Sequence, residues 1–140
     1  MVREAEIIID LMIDRGYHPN TVKYNSLIYG FCMEGQTDKA MRLVDIMIAE
    51  GCTPDNITYG SLINGLYKQR NVDEAMSLFR KMPQVGLFPG TVTYTIDIGG
   101  LCKVGRRKDA QILFNEMQNN REEVPNNFTY NTLIDALCKS

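Results

Sequence analysis

His18 and four cysteines are the residues of this 140-residue chain whose types best suit catalysis or metal binding. His18 lies in a predicted loop beside Pro19, and the sequence offers it no second ligand or nucleophile. Cys32, Cys102 and Cys138 recur at one place of a repeated pattern. They should therefore lie one or two repeats apart, beyond the roughly 7 Å between Cα atoms that a disulfide allows. Their spacing matches no zinc pattern. We predict a protein that is not an enzyme, without metal or cofactor, whose cysteines are buried free thiols.

The composition is that of a folded protein, with 44% hydrophobic and 23% charged residues. A formal net charge of −2 gives no overall attraction to phosphate, so any binding of nucleic acid must come from a local groove. No apolar run approaches the roughly 18 residues of a membrane span, and the N-terminus lacks the pattern of a secretory signal. We therefore expect no membrane partner.

The sequence repeats with a period of 35 residues. Three units, residues 21–55, 56–90 and 91–126, follow one another, and the third contains one inserted residue. Residues 1–20 match the second half of a unit, and residues 127–140 match the first half. The recurring positions hold tyrosine, alanine, methionine and proline: Tyr24, Tyr59 and Tyr94; Ala40, Ala75 and Ala110; Met47, Met82 and Met117; Pro54, Pro89 and Pro125. One array of repeats is predicted for the whole chain.

Each unit contains two stretches with the apolar spacing of one helix face. In the first unit they are Tyr24, Leu27, Ile28 and Phe31, followed by Ala40, Leu43, Val44 and Met47. We predict about seven helices and an all-α fold, an α-solenoid of stacked helix-turn-helix repeats coiled as a right-handed superhelix. Such an array presents an extended concave surface for binding. The uncovered ends should expose apolar area, so self-association is expected.

Two features of the first helices are unusual. Gly30, Gly65 and Gly100 fall in helices, where glycine costs about 1 kcal/mol relative to alanine, so we expect close helix contacts to offset that cost. Asp97 replaces an apolar residue on a face that should be buried. It must find a partner, or the helix must rotate locally, and Asp97→Leu is expected to stabilise the protein.

The first stretches of the units resemble the pentatricopeptide-repeat family. They read VKYNSLIYGFC from Val22, ITYGSLINGLY from Ile57, VTYTIDIGGLCKVG from Val92 and FTYNTLIDALCK from Phe128. The competing 34-residue tetratricopeptide repeat carries a tryptophan signature, and this chain has no tryptophan. The resemblance implies recognition of single-stranded RNA, with one base read by each repeat.

The resemblance also implies which residues read the bases. The pairs are Asn25 with Asp55, Gly60 with Gly90, and Thr95 with Asn126, while Asn131 and Asn20 are halves of incomplete pairs. The family's pairing rules imply U for the first pair, A for the third and a pyrimidine at Asn131, which gives U-n-A-Y from 5′ to 3′. The glycine pair has no side chain that reads a base, so the second unit is expected to tolerate any base or to act as a spacer. For the other pairs, capping of the next helix is the alternative role.

Two further sets of residues are implied to hold the RNA. Bases would be sandwiched by Val22, Ile57, Val92 and Phe128, and phosphates would be contacted by Lys68, Lys103 and Lys139. The apolar residues could instead be hydrophobic staples at helix entry. The lysines could be ordinary solvated charges or partners of helix C-termini.

The resulting hypothesis is an RNA-binding solenoid from a plant mitochondrion or chloroplast, acting in RNA processing or stability. Organelle and process rest on the resemblance alone. The alternative is a protein- or peptide-binding scaffold of tetratricopeptide type. RNA binding should weaken as salt rises, whereas an apolar peptide groove should barely respond.

Overall fold

The computed structural model describes residues 2–119 and 124–138, which contain eight α-helices. They are α1 (Val2–Asp14), α2 (Thr21–Met33), α3 (Thr37–Ala49), α4 (Asn56–Lys68), α5 (Val72–Lys81), α6 (Thr91–Lys103), α7 (Arg107–Asn119) and α8 (Asn127–Cys138). The sequence predicted about seven helices, which is one too few, because each partial unit at the two ends supplies a complete helix.

The helices pair as hairpins and the hairpins stack. Within a unit α2 packs on α3, α4 on α5 and α6 on α7. The first helices form a continuous row, since α2 contacts α4, α4 contacts α6 and α6 contacts α8. The second helices α3 and α5 also contact the first helix of the following unit. The predicted all-α solenoid of helix-turn-helix repeats is therefore confirmed.

Each unit contributes the same apolar positions to one core that runs through the array. In the first unit Tyr24 and Ile28 of α2 are buried in this core together with Leu43 and Met47 of α3. Between units, the ring of Phe79 in α5 meets the ring of Tyr94 in α6 edge to face, with ring centroids 5.1 Å apart. Because a single hairpin cannot bury both of its apolar faces, the units depend on one another for stability.

The turn within each hairpin needs a left-handed residue. Gly35 and Gly105 supply it, with φ of +75° and +82°. The matching residue of the middle unit is Arg70, which has a φ of +59°. A side chain in this conformation costs roughly 1–2 kcal/mol, so the middle hairpin turn is strained where its neighbours are not.

Helix α5 is shorter than the other second helices. The apolar spacing predicts a helix through Met82, but α5 ends at Lys81, and Met82–Val85 form a short 3₁₀ helix instead. Pro83 lies within this segment, and it can neither donate the next α-helical hydrogen bond nor avoid the carbonyl four residues earlier. Met82 remains fully buried, so the core contact is kept despite the change of helix type.

The expected close contacts of the first-helix glycines are present at two of the three positions. A Cβ atom at Gly65 would lie 2.9 Å from the Cβ atom of Cys32, and one at Gly100 would overlap the ring of Tyr67. At Gly30 nothing lies within 4 Å. In both tight cases the contacting residue comes from the first helix of the preceding unit. Among the described residues no first helix precedes α2.

No helix within the described residues is long and apolar enough to cross a membrane.

Candidate functional site

Three of the four residues that precede the first helices cap them with their side chains, as the alternative interpretation of the sequence proposed. Asn20 accepts a hydrogen bond from the backbone N–H of Lys23 at 2.9 Å. Asp55 and Asn126 accept the equivalent bonds that start α4 and α8, at 3.1 and 3.0 Å. Gly90 precedes α6 without a side-chain cap. Capping is therefore a role of three of these residues. It uses one side-chain oxygen of each, so their other side-chain polar atoms remain available for further hydrogen bonds.

Asn25 and Asp55 are brought together by Thr58 in a closed hydrogen-bonded ring. The amide nitrogen of Asn25 donates to Oδ1 of Asp55 at 3.1 Å, and the hydroxyl of fully buried Thr58 donates to Oδ1 of Asn25 at 2.5 Å. The backbone N–H of Thr58 closes the ring on Oδ1 of Asp55. Because a carboxylate only accepts, the amide nitrogen must face Asp55, which fixes the orientation of the Asn25 amide. One N–H and one oxygen lone pair of Asn25 remain for a ligand.

Thr95 and Asn126 are linked indirectly, because each of them contacts Thr129. The hydroxyls of Thr95 and Thr129 are 2.8 Å apart, and the hydroxyl of Thr129 lies 3.0 Å from Oδ1 of Asn126. The hydroxyl of Thr95 also lies 2.7 Å from the carbonyl oxygen of Thr91, the natural acceptor for its single proton. When Thr95 donates there, Thr129 gives its single hydroxyl proton to Thr95, and the bond to Asn126 is the one from the backbone N–H of Thr129. Thr95 then keeps a lone pair for a ligand. Asn131, the incomplete pair of the next unit, is exposed on α8.

Gly60 and Gly90 line an open cavity where the other units have polar side chains. The cavity has a volume of about 540 Å³, and Ile57, Val92 and Ile96 contribute to its walls. The predicted sandwiching residues Ile57 and Val92, from two successive units, therefore surround the same space as the glycine pair. The two glycines supply no amide, hydroxyl or carboxylate. Asn56, Ser61 and Asn64 also line the cavity, but its wall surface is mainly apolar.

The four residues predicted to sandwich bases are exposed. Between 64% and 71% of each side chain is exposed, and the four residues are Val22, Ile57, Val92 and Phe128. Hydrophobic staples at helix entry are expected to be buried, so this exposure does not favour that role. The four residues lie at the same place in the first turn of successive first helices. Four apolar side chains are therefore presented to the outside at regular intervals.

A second cavity, of about 680 Å³, gathers basic residues beside the Thr95 site. Lys68, Lys103 and Arg107 line it together with Thr95, Phe128 and the acidic Asp135. Sequence reasoning missed Arg107, because its counterparts in the other units are Thr37 and Val72 and the repeat pattern gives it no weight. Asn64 and Ile96 line both cavities, so the two adjoin. Lys139, the third predicted phosphate contact, lies outside the described residues.

The predicted buried carboxylate has found a partner. Asp97 is 1% exposed, and its Oδ1 accepts a hydrogen bond from the hydroxyl of Tyr67 in the preceding unit. Oδ2 has no hydrogen-bond partner among the described residues. Burial raises the pKa of Asp97 to about 6, against the opposing effects of the Tyr67 hydrogen bond and the positive charge of Arg80. Burial and the neighbouring carboxylate also raise the pKa of Tyr67.

The residues first considered for catalysis or metal binding lie apart from these clusters. Nδ1 of His18 is 2.9 Å from Oε2 of Glu50, at the surface. Cys32 is a buried free thiol, and burial raises its pKa to about 11. Cys52 and Cys102 are half-buried free thiols and Cys138 is exposed, so the predicted burial holds fully only for Cys32 and is wrong for Cys138. Within residues 2–119 and 124–138 no three histidine, cysteine, aspartate or glutamate residues are grouped as metal ligands.

A comparison with protein families finds a match to the PPR repeat family over residues 19–68, 57–103 and 89–139. These ranges overlap and together include every first helix from α2 to α8. No curated protein matches the sequence.

Similar solved structures include the pentatricopeptide repeat protein PPR10 from maize, with a TM-score of 0.80 and 28% identity over 99% of this chain and 21% of that protein. PPR10 in complex with an 18-nt psaJ RNA element has a TM-score of 0.85 and 25% identity, over 99% and 20% of the two chains. The PPR domain of Arabidopsis thaliana protein-only RNase P 1, in complex with tRNA, has a TM-score of 0.71 and 18% identity over 99% and 72% of the chains, a likeness of fold alone. The present chain spans about a fifth of the length of maize PPR10.

Proposed function

The chain belongs to the PPR repeat family, and on that basis we propose that it binds single-stranded RNA and reads one base at each repeat. One observation carries the proposal: equivalent positions of three successive units each form a candidate base site. The first holds Asn25 with Asp55, the second holds an open apolar cavity, and the third holds Thr95 with Asn126. Lys68, Lys103 and Arg107 line the adjoining cavity, where they can meet phosphates despite the net charge of −2.

The hydrogen-bonding groups support the base preferences that the family's pairing rules imply. The free N–H and lone pair of Asn25 complement the N3–H and a neighbouring carbonyl of uracil. Thr95 and Asn126 are proposed to take adenine, and Asn131 a pyrimidine. The preferred sequence is U-n-A-Y. We propose binding without catalysis, in transcript processing or stabilisation in a mitochondrion or chloroplast.

Fluorescence anisotropy with short RNAs at low ionic strength tests this function. We expect U-n-A-Y to bind roughly tenfold tighter than RNAs with a wrong base opposite Asn25 and Asp55 or opposite Thr95 and Asn126, because a wrong base leaves buried polar groups unpaired. With about three phosphate contacts, the logarithm of the binding constant should fall with the logarithm of salt concentration at a slope of about −2.

A competing function is a protein- or peptide-binding scaffold of tetratricopeptide type, which the exposed apolar side chains at the helix entries would suit. Its binding should respond little to salt. If neither the chain nor a version lengthened by flanking repeats bound RNA, the RNA proposal would be overturned. The paired residues would then serve only as helix caps.

Thr58 is proposed as a positioning residue for the Asn25 and Asp55 pair. Thr58→Val removes the hydroxyl that orients the Asn25 amide while keeping the side-chain shape, so the preference for U at this site should fall severalfold. Affinity for RNA with U at this site and the ratio against C are the measurements. Thr58→Ser keeps the hydroxyl and should keep the ratio. A purely structural Thr58 would lower stability in the Val variant and leave the base ratio unchanged.

A further inference from the structure

The cavity at Gly60 and Gly90 is not required by the backbone. Gly90 has a φ of −88° and a ψ of 178°, an extended conformation that any residue adopts. A Cβ atom at Gly60 would lie 3.7 Å from Cδ1 of Ile96, an ordinary contact. Since glycine within a helix costs about 1 kcal/mol relative to alanine, Gly60 lowers the stability of α4 without a packing reason. The consequence of the two glycines is the open space itself.

The walls of this space are mainly apolar. Ile57 and Val92, one from each of two successive units, line it from positions that are 64% and 68% exposed, and Ile96 lines it beside Gly60. Of the polar ring of Asn25, Asp55 and Thr58, the first two positions are replaced by Gly60 and Gly90, and Thr58 alone keeps a polar counterpart, the buried Thr93. An RNA strand that engages both the Asn25 and the Thr95 sites must carry one nucleotide past this cavity. That nucleotide would meet side chains suited to the face of a base and no paired side chains suited to its edge.

We propose that this cavity, within the RNA binding proposed above, is a base site that selects by apolar surface and size. It takes purines in preference to pyrimidines, and it accepts a base whose hydrogen-bonding edge is methylated. A purine offers a larger face for stacking than a pyrimidine. A methyl group on the hydrogen-bonding edge of a base removes a donor. The loss weakens binding where it leaves a polar protein group unpaired, and it has little effect where the protein positions are glycine.

The same modified base placed at two positions of one RNA tests this assignment. N3-methyluridine in place of uridine opposite Asn25 and Asp55 should weaken binding roughly tenfold or more, because the N3–H is lost. Opposite Gly60 and Gly90 the same change should alter affinity by less than about twofold. Adenine or guanine there should bind about two- to fivefold tighter than cytosine or uracil, and an abasic nucleotide roughly fivefold or more weaker than a purine.

A double variant of the protein supplies the matched control. Gly60→Asn with Gly90→Asp introduces the groups of the Asn25 site at the cavity. A Cβ atom at Gly60 makes only an ordinary contact, and the backbone at Gly90 is extended. The variant should prefer uracil at this position and should lose affinity for N3-methyluridine there. Circular dichroism of the variant establishes that it is folded, and the comparison of modified RNAs with the unaltered protein needs no variant at all.

The outcomes separate this inference from the function on which it rests. If RNA binds with the U preference at Asn25 and Asp55, but an abasic nucleotide opposite the glycines binds as well as a purine, the second unit is a spacer and the inference is wrong. A strong penalty for N3-methyluridine opposite the glycines would also overturn it. Absence of RNA binding, or of any base preference at the Asn25 site, would instead overturn the proposed function, and this inference with it.

Discussion

Replacing Gly100 with alanine is expected to lower the free energy of unfolding by about 3 kcal/mol, although alanine is the better helix former. The new methyl group would overlap the ring of Tyr67, which is buried and cannot move freely because its hydroxyl donates to Asp97. To relieve the overlap, either α6 moves away from α4, or the Tyr67 ring is displaced and the buried carboxylate of Asp97 loses its hydrogen bond. Denaturant unfolding of the two proteins measures the difference.

Gly30→Ala is the matched control, since Gly30 occupies the same place in the first unit. Nothing lies within 4 Å of the added methyl group, so the higher helix propensity of alanine should raise the free energy of unfolding by up to about 1 kcal/mol. Gly65→Ala should fall between the two, because Cys32 is close but smaller than Tyr67. Equal effects of alanine at Gly30 and Gly100 would contradict this account of close helix contact.

These three glycines show what the sequence can and cannot predict about the fold. The repeat period places them at one position of successive first helices, and that placement follows from local pattern alone. What each glycine contacts depends on residues about 33 positions earlier, Cys32 for Gly65 and Tyr67 for Gly100. How closely two first helices approach depends on the residues of both units, so the sequence of one unit alone does not predict it.

The candidate site shows the same division. The pairing of Asn25 with Asp55 followed from the family resemblance, but the resemblance did not indicate Thr58, which completes the ring. A local pattern was available: Asp55 and Thr58 stand three residues apart as a reciprocal capping pair, and Asn126 and Thr129 repeat this. The contact of Thr58 with Asn25 spans 33 residues and becomes visible only when α2 and α4 are packed together.

The buried carboxylate of Asp97 leads to the second large expected effect. The pKa of Asp97 is raised from 3.8 to about 6, first because burial penalises the charge. The folded state therefore holds its proton more tightly than the unfolded state does. Below about pH 4 both states are protonated and the group has no effect. Between about pH 4 and pH 6 the free energy of unfolding falls as pH rises, and above pH 6 the full cost, roughly 3 kcal/mol, is present.

Asp97→Asn should raise the free energy of unfolding at pH 7 by about 2 kcal/mol, since the amide oxygen still accepts from Tyr67 while the buried charge is gone. Part of the gain is lost because the amide N–H groups replace Oδ2, which has no partner among the described residues. Asp97→Leu, expected from the sequence to stabilise the protein, should gain less, because it leaves the Tyr67 hydroxyl without its acceptor.

Denaturant unfolding of the unaltered protein and the Asn variant, at intervals from pH 4 to pH 7.5, isolates the effect of this one group. The difference between the two curves should grow in favour of the variant as pH rises to about 6 and then stay constant. A constant difference across the whole range would show that Asp97 does not titrate there. Tyr67→Phe provides an independent check of the cause: the hydrogen bond from Tyr67 lowers the pKa of Asp97, so its removal should raise that pKa and move the upper end of the pH window higher.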